Sequence, residues 1–502
     1  MASSSDSSTP RGEAWVWFSG LGLIIGLGMV IGLLSLVLMN GATVFWAPPV
    51  PVAQVDDGRF LIGQLAQRRV RAGSPADHPV YERQYQVGLR ELNGNSYLWV
   101  DEAKIKGETF PADVLGLERV ENGPAFVRPQ SLRKSDGVVI AVADPAFEAA
   151  FQVEVTAAAA VREKLIEITR HRIGDVNASM DKAKVSLRRA EDLRLTGEAT
   201  ALQKEITVLD GRFAALQEEA KKVVAGGAVA SLISQDAAGR EVVVPLTQVI
   251  RAWFPNRLDT WGRVKLFGSR LGEFIFDEPR EANTEGGLMP AIFGTLVMTV
   301  FMSLLVTPFG VITAIYLREY AQQGAVLRIV RISVNNLAGV PSIVFGVFGL
   351  GFFVYVLGGS IDQLFFADQL KYNNNTPVFG TGGLLWCSLT LALMTLPVVI
   401  VATEEALAAV PRGMREASLA TGASKWQTIR DILLPASAPG ILTGVILAMA
   451  RGAGEVAPLM LVGVVKLAPS LPFDGSAPFL HMDRKFMHLG FHVYDLGFQS
   501  PD

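Results

Sequence analysis

Four long stretches of this 502-residue chain carry no charged side chain: 14–55, 286–317, 332–361 and 372–403. Each is longer than the ~20 residues that an α-helix needs to cross the hydrocarbon core of a bilayer. Lipid offers no partner to backbone N–H and C=O groups, so a single segment can satisfy them only as a helix. A fifth apolar stretch, 436–462, follows Pro435 and holds Arg451 and Glu455. An α-helical polytopic membrane protein with five spanning helices is the fold class expected. With 50% hydrophobic residues and a mean hydropathy of +0.33, the composition is not that of an ordinary soluble chain.

The first apolar stretch is too long for the 7–15-residue core of a cleaved signal peptide. It reads as an uncleaved anchor over 15–46, behind a tail at 1–14. Gly22 and Gly26, then Gly28 and Gly32, give it two spacings suited to close helix approach. Orientation follows from short-loop charge. Arg318, Arg328 and Arg331 lie after the second stretch, and Arg412, Arg415, Lys425 and Arg430 after the fourth. The loop between the third and fourth has only Lys371 against Asp362 and Asp368. The two basic loops are expected in the cytoplasm, and residues 47–285 and 463–502 outside it. The polar end HLGFHVYDLGFQSPD reads as a loop running into a further helix, so a final spanning helix is expected to be missing.

Residues 47–285 form an insertion of mixed character. Alternating short runs bounded by Gly, Pro and Asn over 53–145, and again over 228–246, predict a small β-rich unit. Between them the period lengthens. Ile166, Thr169, Ile173, Val176, Met180, Ala183, Leu187 and Ala190 step by three and four. After Gly197 the pattern restarts at Leu202, Ile206, Leu209, Phe213, Leu216, Ala220 and Val223. Two such runs predict an antiparallel coiled-coil hairpin over 150–225, a stalk or a docking arm. Over 248–275, Trp253, Trp261, Phe267 and Phe274 alternate with Arg251, Arg263 and Arg270, which predicts a helix lying at the membrane interface, with a packed surface of the β unit as the alternative.

Several chemistries find no support. Cys387 stands alone, so no intrachain disulfide or thiolate cluster forms. His78, His171, His481, His488 and His492 lack zinc-ligand spacing. No GxxxxGK[ST] phosphate loop occurs, so energy for any transport must come from a partner. The formal charge of −3 gives no sign of a nucleic-acid partner.

The most specific motif runs from Glu416 to Pro435, EASLATGASKWQTIRDILLP. Glu416, Ala417 and Ser418 open a short helix, or end the one containing Glu404 to Val410. Gly422 permits a tight turn. Trp426, Ile429 and Ile432 then recur at helical spacing, ahead of Leu434 and Pro435. A two-helix elbow parallel to the membrane is expected over 403–435, fit for a groove on a partner. In the fifth stretch Arg451 and Glu455 stand four apart, on one helix face. Buried charge in a membrane is costly, and an arginine fork suits an oxyanion. Asn335 and Asn336 at the start of the third spanning helix, and Thr295 and Thr299 in the second, are weaker candidates to line a path. Pro341 with Gly346, Gly349 and Gly351 predicts a kinked or closely packed third helix.

The Glu416–Pro435 motif resembles the E-A-A-x3-G-x9-I-x-L-P signature of ABC-importer permeases, with Ser418 in place of the second Ala. The segments 294–321, 335–353, 389–429 and 450–461 resemble the PstA family of phosphate-importer permeases, in an enlarged-insertion subgroup. The resemblance covers roughly 285–465. It implies a type I ABC importer permease core over 286–462, with an extracytoplasmic α+β insertion, in a bacterial inner membrane. It also implies a PstC-like second permease, a PstB-like ATPase dimer that binds the ATP and Mg, and a periplasmic PstS-like phosphate-binding protein. Glu416, Ala417, Ser418, Gly422, Trp426, Ile432, Leu434 and Pro435 would couple to that ATPase. Arg451 would line the path of inorganic phosphate. Two other readings are a permease for another oxyanion such as sulfate or molybdate, and a membrane-anchored coiled-coil adaptor.

Overall fold

The computed structural model describes residues 13–75, 79–226, 230–468, 470–474 and 479–498, which leaves His78 and Gly227 outside the described residues. They divide into two compact units, 1–152 with 231–273, and 153–230 with 274–502. Among the described residues five helices are long and apolar enough to cross a membrane: Trp17–Phe45, Met289–Tyr320, Ser342–Phe365, Leu384–Ala409 and Lys425–Gly454. They are called the first to fifth spans below.

The first unit joins the first span to a set of antiparallel sheets. Two are three-stranded: Phe60–Ile62, Val52–Val55 and Ile105–Thr109, and then Gln64–Val70, Tyr81–Gln86 and Tyr97–Asp101. The largest runs Glu241–Pro245, Ser231–Gln235, Ala125–Arg133, Leu115–Arg119, Val249–Trp253, with Val139–Ala141 on the side. Its inward residues alternate with outward ones, as along Glu241–Pro245, where Val242 and Val244 are buried. Leu115, Leu117, Phe126, Leu132 and Leu232 fill the core. Gly116 is required where it stands, because a Cβ there would lie 2.7 Å from the Trp253 ring.

The stretch 248–275 is not one interfacial helix. Val249–Trp253 is a strand of the large sheet, and the helix runs Thr260–Phe276. Pro255 ends the strand and Asn256 locks the turn, bonding the Val50 backbone at 2.8 and 2.9 Å and the Pro111 carbonyl at 2.8 Å. Arg251, Arg257 and Arg270 there are paired with carboxylates. Arg270 reaches Glu118 at 2.7 Å, and Arg251 joins Glu118 and, at 2.8 Å, Glu273. Phe267 packs edge-on against Phe45 at the end of the first span.

The second unit holds most of a long helical hairpin. Its first arm begins as Phe147–Ile166 and ends as Ile173–Asp192; the return arm is Thr196–Gly226. Met180, Ala183, Ile206 and Leu209 meet between the arms, flanked by Val176, Leu187 and Phe213. The expected register slips at its start. Over Glu167–Arg172 the hydrogen bonds widen to i→i+5, which adds a residue to the turn. Ile168 is consequently buried, while Ile166 and Thr169 are exposed. The chain reverses at Arg194, whose φ is +56°, close to Gly197, which lies in the first turn of the return arm.

The second, third and fifth spans pack around the fourth, whose Leu384, Cys387, Leu391, Met394 and Val399 are buried against Met298, Met302, Phe345 and Ala448. Small residues let the helices close in: a Cβ on Gly444 would fall 2.4 Å from the Ala402 methyl. In the third span Gly346 and Gly349 touch Pro458 and Thr390, whereas Gly351 has open space. Pro341 does not kink this span. It is the extended residue immediately before it, separating it from the helix Ala325–Leu337. Asn335 and Asn336 belong to that preceding helix, not to the third span.

Candidate functional site

The signature motif forms a joint between the fourth and fifth spans. Val410 and Pro411 end the fourth span in extended backbone. The first arm, Arg412–Ala420, buries none of its side chains. Gly422 takes φ +88°, a left-handed conformation that suits glycine, with open space where a Cβ would stand. Ser424 then caps the second arm. Its hydroxyl accepts the Gln427 N–H at 3.3 Å, and the Gln427 side chain accepts the Ser424 N–H at 2.8 Å.

The second arm, Lys425–Thr428, is not a separate elbow helix. It runs on without interruption into the fifth span, which therefore starts before Pro435. Over Ile429–Leu433 the bonding widens to i→i+5, and the Leu434 N–H reaches the Ile429 carbonyl. This shift absorbs Pro435, which has no N–H to give the helix. It also splits the expected stripe. Ile429 and Leu433 are buried, Ile432 is half-buried, and Trp426 is 53% exposed.

The joint is stiffened from within. The Ser418 and Thr428 hydroxyls meet at 2.9 Å across the two arms. Ile315, Leu407, Val410, Ile429 and Leu433 form an apolar cluster beneath them, with Leu434 against it. Glu416, Ala417, Gly422 and Pro435 face outward, with exposed Met414, Leu419 and Trp426. The joint thus pairs a bonded inner side with an outer side that carries the Glu416 carboxylate and three large apolar groups.

Beside it lies a cleft of about 260 Å³ lined by Arg318, Arg331, Asn335, Glu404 and Glu405 among others. Arg331 spans it to Glu404 at 3.3 Å. Asn335 is therefore a path candidate that faces a cavity.

The other candidates sit elsewhere. The fifth span ends at Gly454, so Arg451 and Glu455 do not share a continuous helix. Glu455 is extended, and a new short helix, Ala457–Val462, starts with Pro458 in its first turn. The two side chains remain an ion pair at 3.7 Å, 36% and 22% exposed. The Thr295 and Thr299 hydroxyls bond carbonyls of their own helix at 2.7 Å. Both residues are buried, and Thr295 also accepts the Leu489 N–H at 2.8 Å. These bonds place both residues in helix packing.

Sequence reasoning missed Glu319 and Glu404, and gave Arg331, Arg415 and Lys425 no role beyond topology. The Ser424–Gln427 cap was readable from its spacing. The pairing of Arg415 with Glu319, 2.8 Å apart in space, leaves no local trace in the sequence.

Residues 306–471 match the family of binding-protein-dependent transport system inner membrane components. That range takes in the joint, the cleft and the Arg451–Glu455 pair. The chain is 37% identical over 216 residues to phosphate transport system permease protein PstA 1 of Mycobacterium tuberculosis, covering 43% of this chain and 60% of that one. It is 34% identical over 198 residues to the probable ABC transporter permease protein YqgH of Bacillus subtilis, covering 39% and 59%. With the probable ABC transporter permease protein YqgI of the same organism, identity is 31% over 237 residues, covering 46% and 73%. The chain spans less than two thirds of the length of the first two of these relatives.

Proposed function

This chain belongs to the family of binding-protein-dependent ABC transporter permeases, and we propose that it forms half of the pore of an ATP-driven phosphate importer. The observation that carries the coupling half of this reading is the joint. Its outer side presents Glu416, Met414, Leu419 and Trp426 to a partner, while its inner side is bonded to the spans. A groove on an ATPase that grips this outer side would move the joint as one body. The spans would then alternate between outward and inward access.

Phosphate as the cargo rests on the likeness to the PstA relative. In this reading the chain works in a bacterial inner membrane beside a second permease. An ATPase dimer binds ATP and Mg, and a periplasmic phosphate-binding protein delivers the anion. Residues 47–285 lie in the periplasm. Arg451, held by Glu455, offers the passing anion a charge-assisted contact without a tight site. Asn335 and Arg331 line its exit cleft.

The test is competition. Vesicles holding this chain with its partners should take up labelled phosphate, and excess sulfate or molybdate should leave that uptake unchanged. Uptake of sulfate or molybdate in place of phosphate would overturn the assignment of cargo.

A further inference from the structure

Both arms of the joint grip one residue of another span. Glu319 lies at the C-terminal end of the second span, in the widened turn Tyr316–Tyr320. Its side chain is only 7% exposed and takes the Arg415 guanidinium of the first arm at 2.8 Å. From the second arm, the Lys425 ammonium donates to the Glu319 backbone carbonyl. It also stands 4.9 Å from the centre of the neighbouring Tyr320 ring. One turn earlier, Ile315 packs against Ile429 and Leu433 of the same joint.

No ion pair is seen along the rest of the second span among the described residues; its contacts there are mainly apolar, with the Thr295 bond to the Leu489 N–H as a neutral exception. Apolar faces can slide over one another. A buried carboxylate paired with a guanidinium cannot separate without leaving a charge unmatched. The joint therefore has one contact on the second span that resists slippage, and both arms supply it.

We propose that Glu319 is a positioning residue through which motion of the joint is transmitted to the second span. The inference rests on the permease reading above and extends it. Arg415 and Lys425 act on transport through Glu319, with no contact to the cargo.

The test uses the whole complex, with spin labels on cysteines placed at Ile312 and Arg412, both exposed. Cys387 is buried and does not compete for label. In the unsubstituted complex the distance between the labels should stay fixed through the ATP cycle, and phosphate uptake should accompany hydrolysis. In Glu319→Gln the distance should change with ATP, and phosphate moved per ATP should fall at least about tenfold while hydrolysis stays within about twofold. Arg415→Gln should do the same, and it decides the matter if Glu319→Gln does not assemble. Exchanging the charges, Glu319→Arg with Arg415→Glu, should restore part of the ratio. A purely structural role would lower assembly, hydrolysis and uptake together, and would overturn the proposal. So would an unchanged distance in both single variants. If the unsubstituted complex hydrolyses ATP but moves no phosphate, the assignment of cargo fails, and the label distances still decide the role of Glu319.

Discussion

The Ser418 hydroxyl lies 2.9 Å from that of Thr428, tying the two arms of the joint across the Gly422 turn. Alanine is the usual residue at that place in the signature, so the departure here adds a bond. Thr428 is buried, which removes water as a substitute partner.

Replacing Ser418 by Ala should remove about 1 kcal/mol of local stability. Backbone amides of the joint should exchange with deuterium about fivefold faster, with the spans unaffected. Transport should persist, since the Arg415–Glu319 and apolar contacts remain. Exchange unchanged in the joint would mean that the two hydroxyls are not bonded.

The turn of the helical hairpin is fastened to the segment between the third and fourth spans. The Tyr372 hydroxyl donates to Asp192 at 2.6 Å, and the Lys371 ammonium joins the same carboxylate. Arg189 meets Asp368 at 3.2 Å, and Arg188 donates to the Tyr372 carbonyl at 2.9 Å. Bonding to Lys371, and then to Tyr372, holds the Asp192 carboxyl below the ordinary aspartate range. Asp192 in turn pushes Lys371 up to about 12. A depressed acid stabilises the contact above its unfolded value of ~3.9, and that share is lost as pH falls through the folded value. A raised lysine stabilises it fully below ~10.4, and that share is lost as pH rises through the folded value.

Spin labels at Arg194 and Gln369 should therefore keep one distance from about pH 5 to pH 9 and separate in stronger acid. Asp192→Asn should separate them already at neutral pH. These groups are exposed, so high salt should loosen the contact in the unsubstituted chain. A distance indifferent to Asp192→Asn would show that the other pairs alone hold the hairpin down.

Arg451 and Glu455 are predicted to differ in their effects. Arg451→Gln removes the cation offered to the anion and should lower uptake about tenfold, with ATP hydrolysis retained. Glu455→Gln frees the guanidinium and should instead slow release, lowering the rate less than the Arg451 change does. Equal losses of uptake and assembly in both variants would make the pair a packing contact at the helix break.

Much of this was legible in the sequence, for identifiable reasons. Charge-free runs announced the spans because lipid tolerates little else. The joint was legible because its glycine, proline and small residues each answer a local backbone demand. What stayed hidden depended on phase or on distance. The i→i+5 turns at Glu167–Arg172 and Ile429–Leu433 moved Ile168 and Leu433 inward where a regular helix would have placed their neighbours. The break after Gly454 was present as Gly452, Gly454 and Pro458 but was masked by an apolar run that continued through it. Glu319 and Arg415 meet across almost a hundred residues of chain, and only the packing of two spans brings them together.

The central claim is that ATP energy enters through the Glu416–Pro435 joint and moves phosphate. The measurement that tests it most directly is uptake of labelled phosphate in a permease-deleted host given the partner subunits and either this chain or its Gly422→Trp variant. A Cβ at Gly422 would meet nothing of the chain itself, so the variant adds bulk on the open side of the joint, and it strains the left-handed turn as well. Uptake with the unsubstituted chain and none with the variant, at equal membrane levels, is the result predicted. Uptake unchanged by the variant would contradict coupling through the joint.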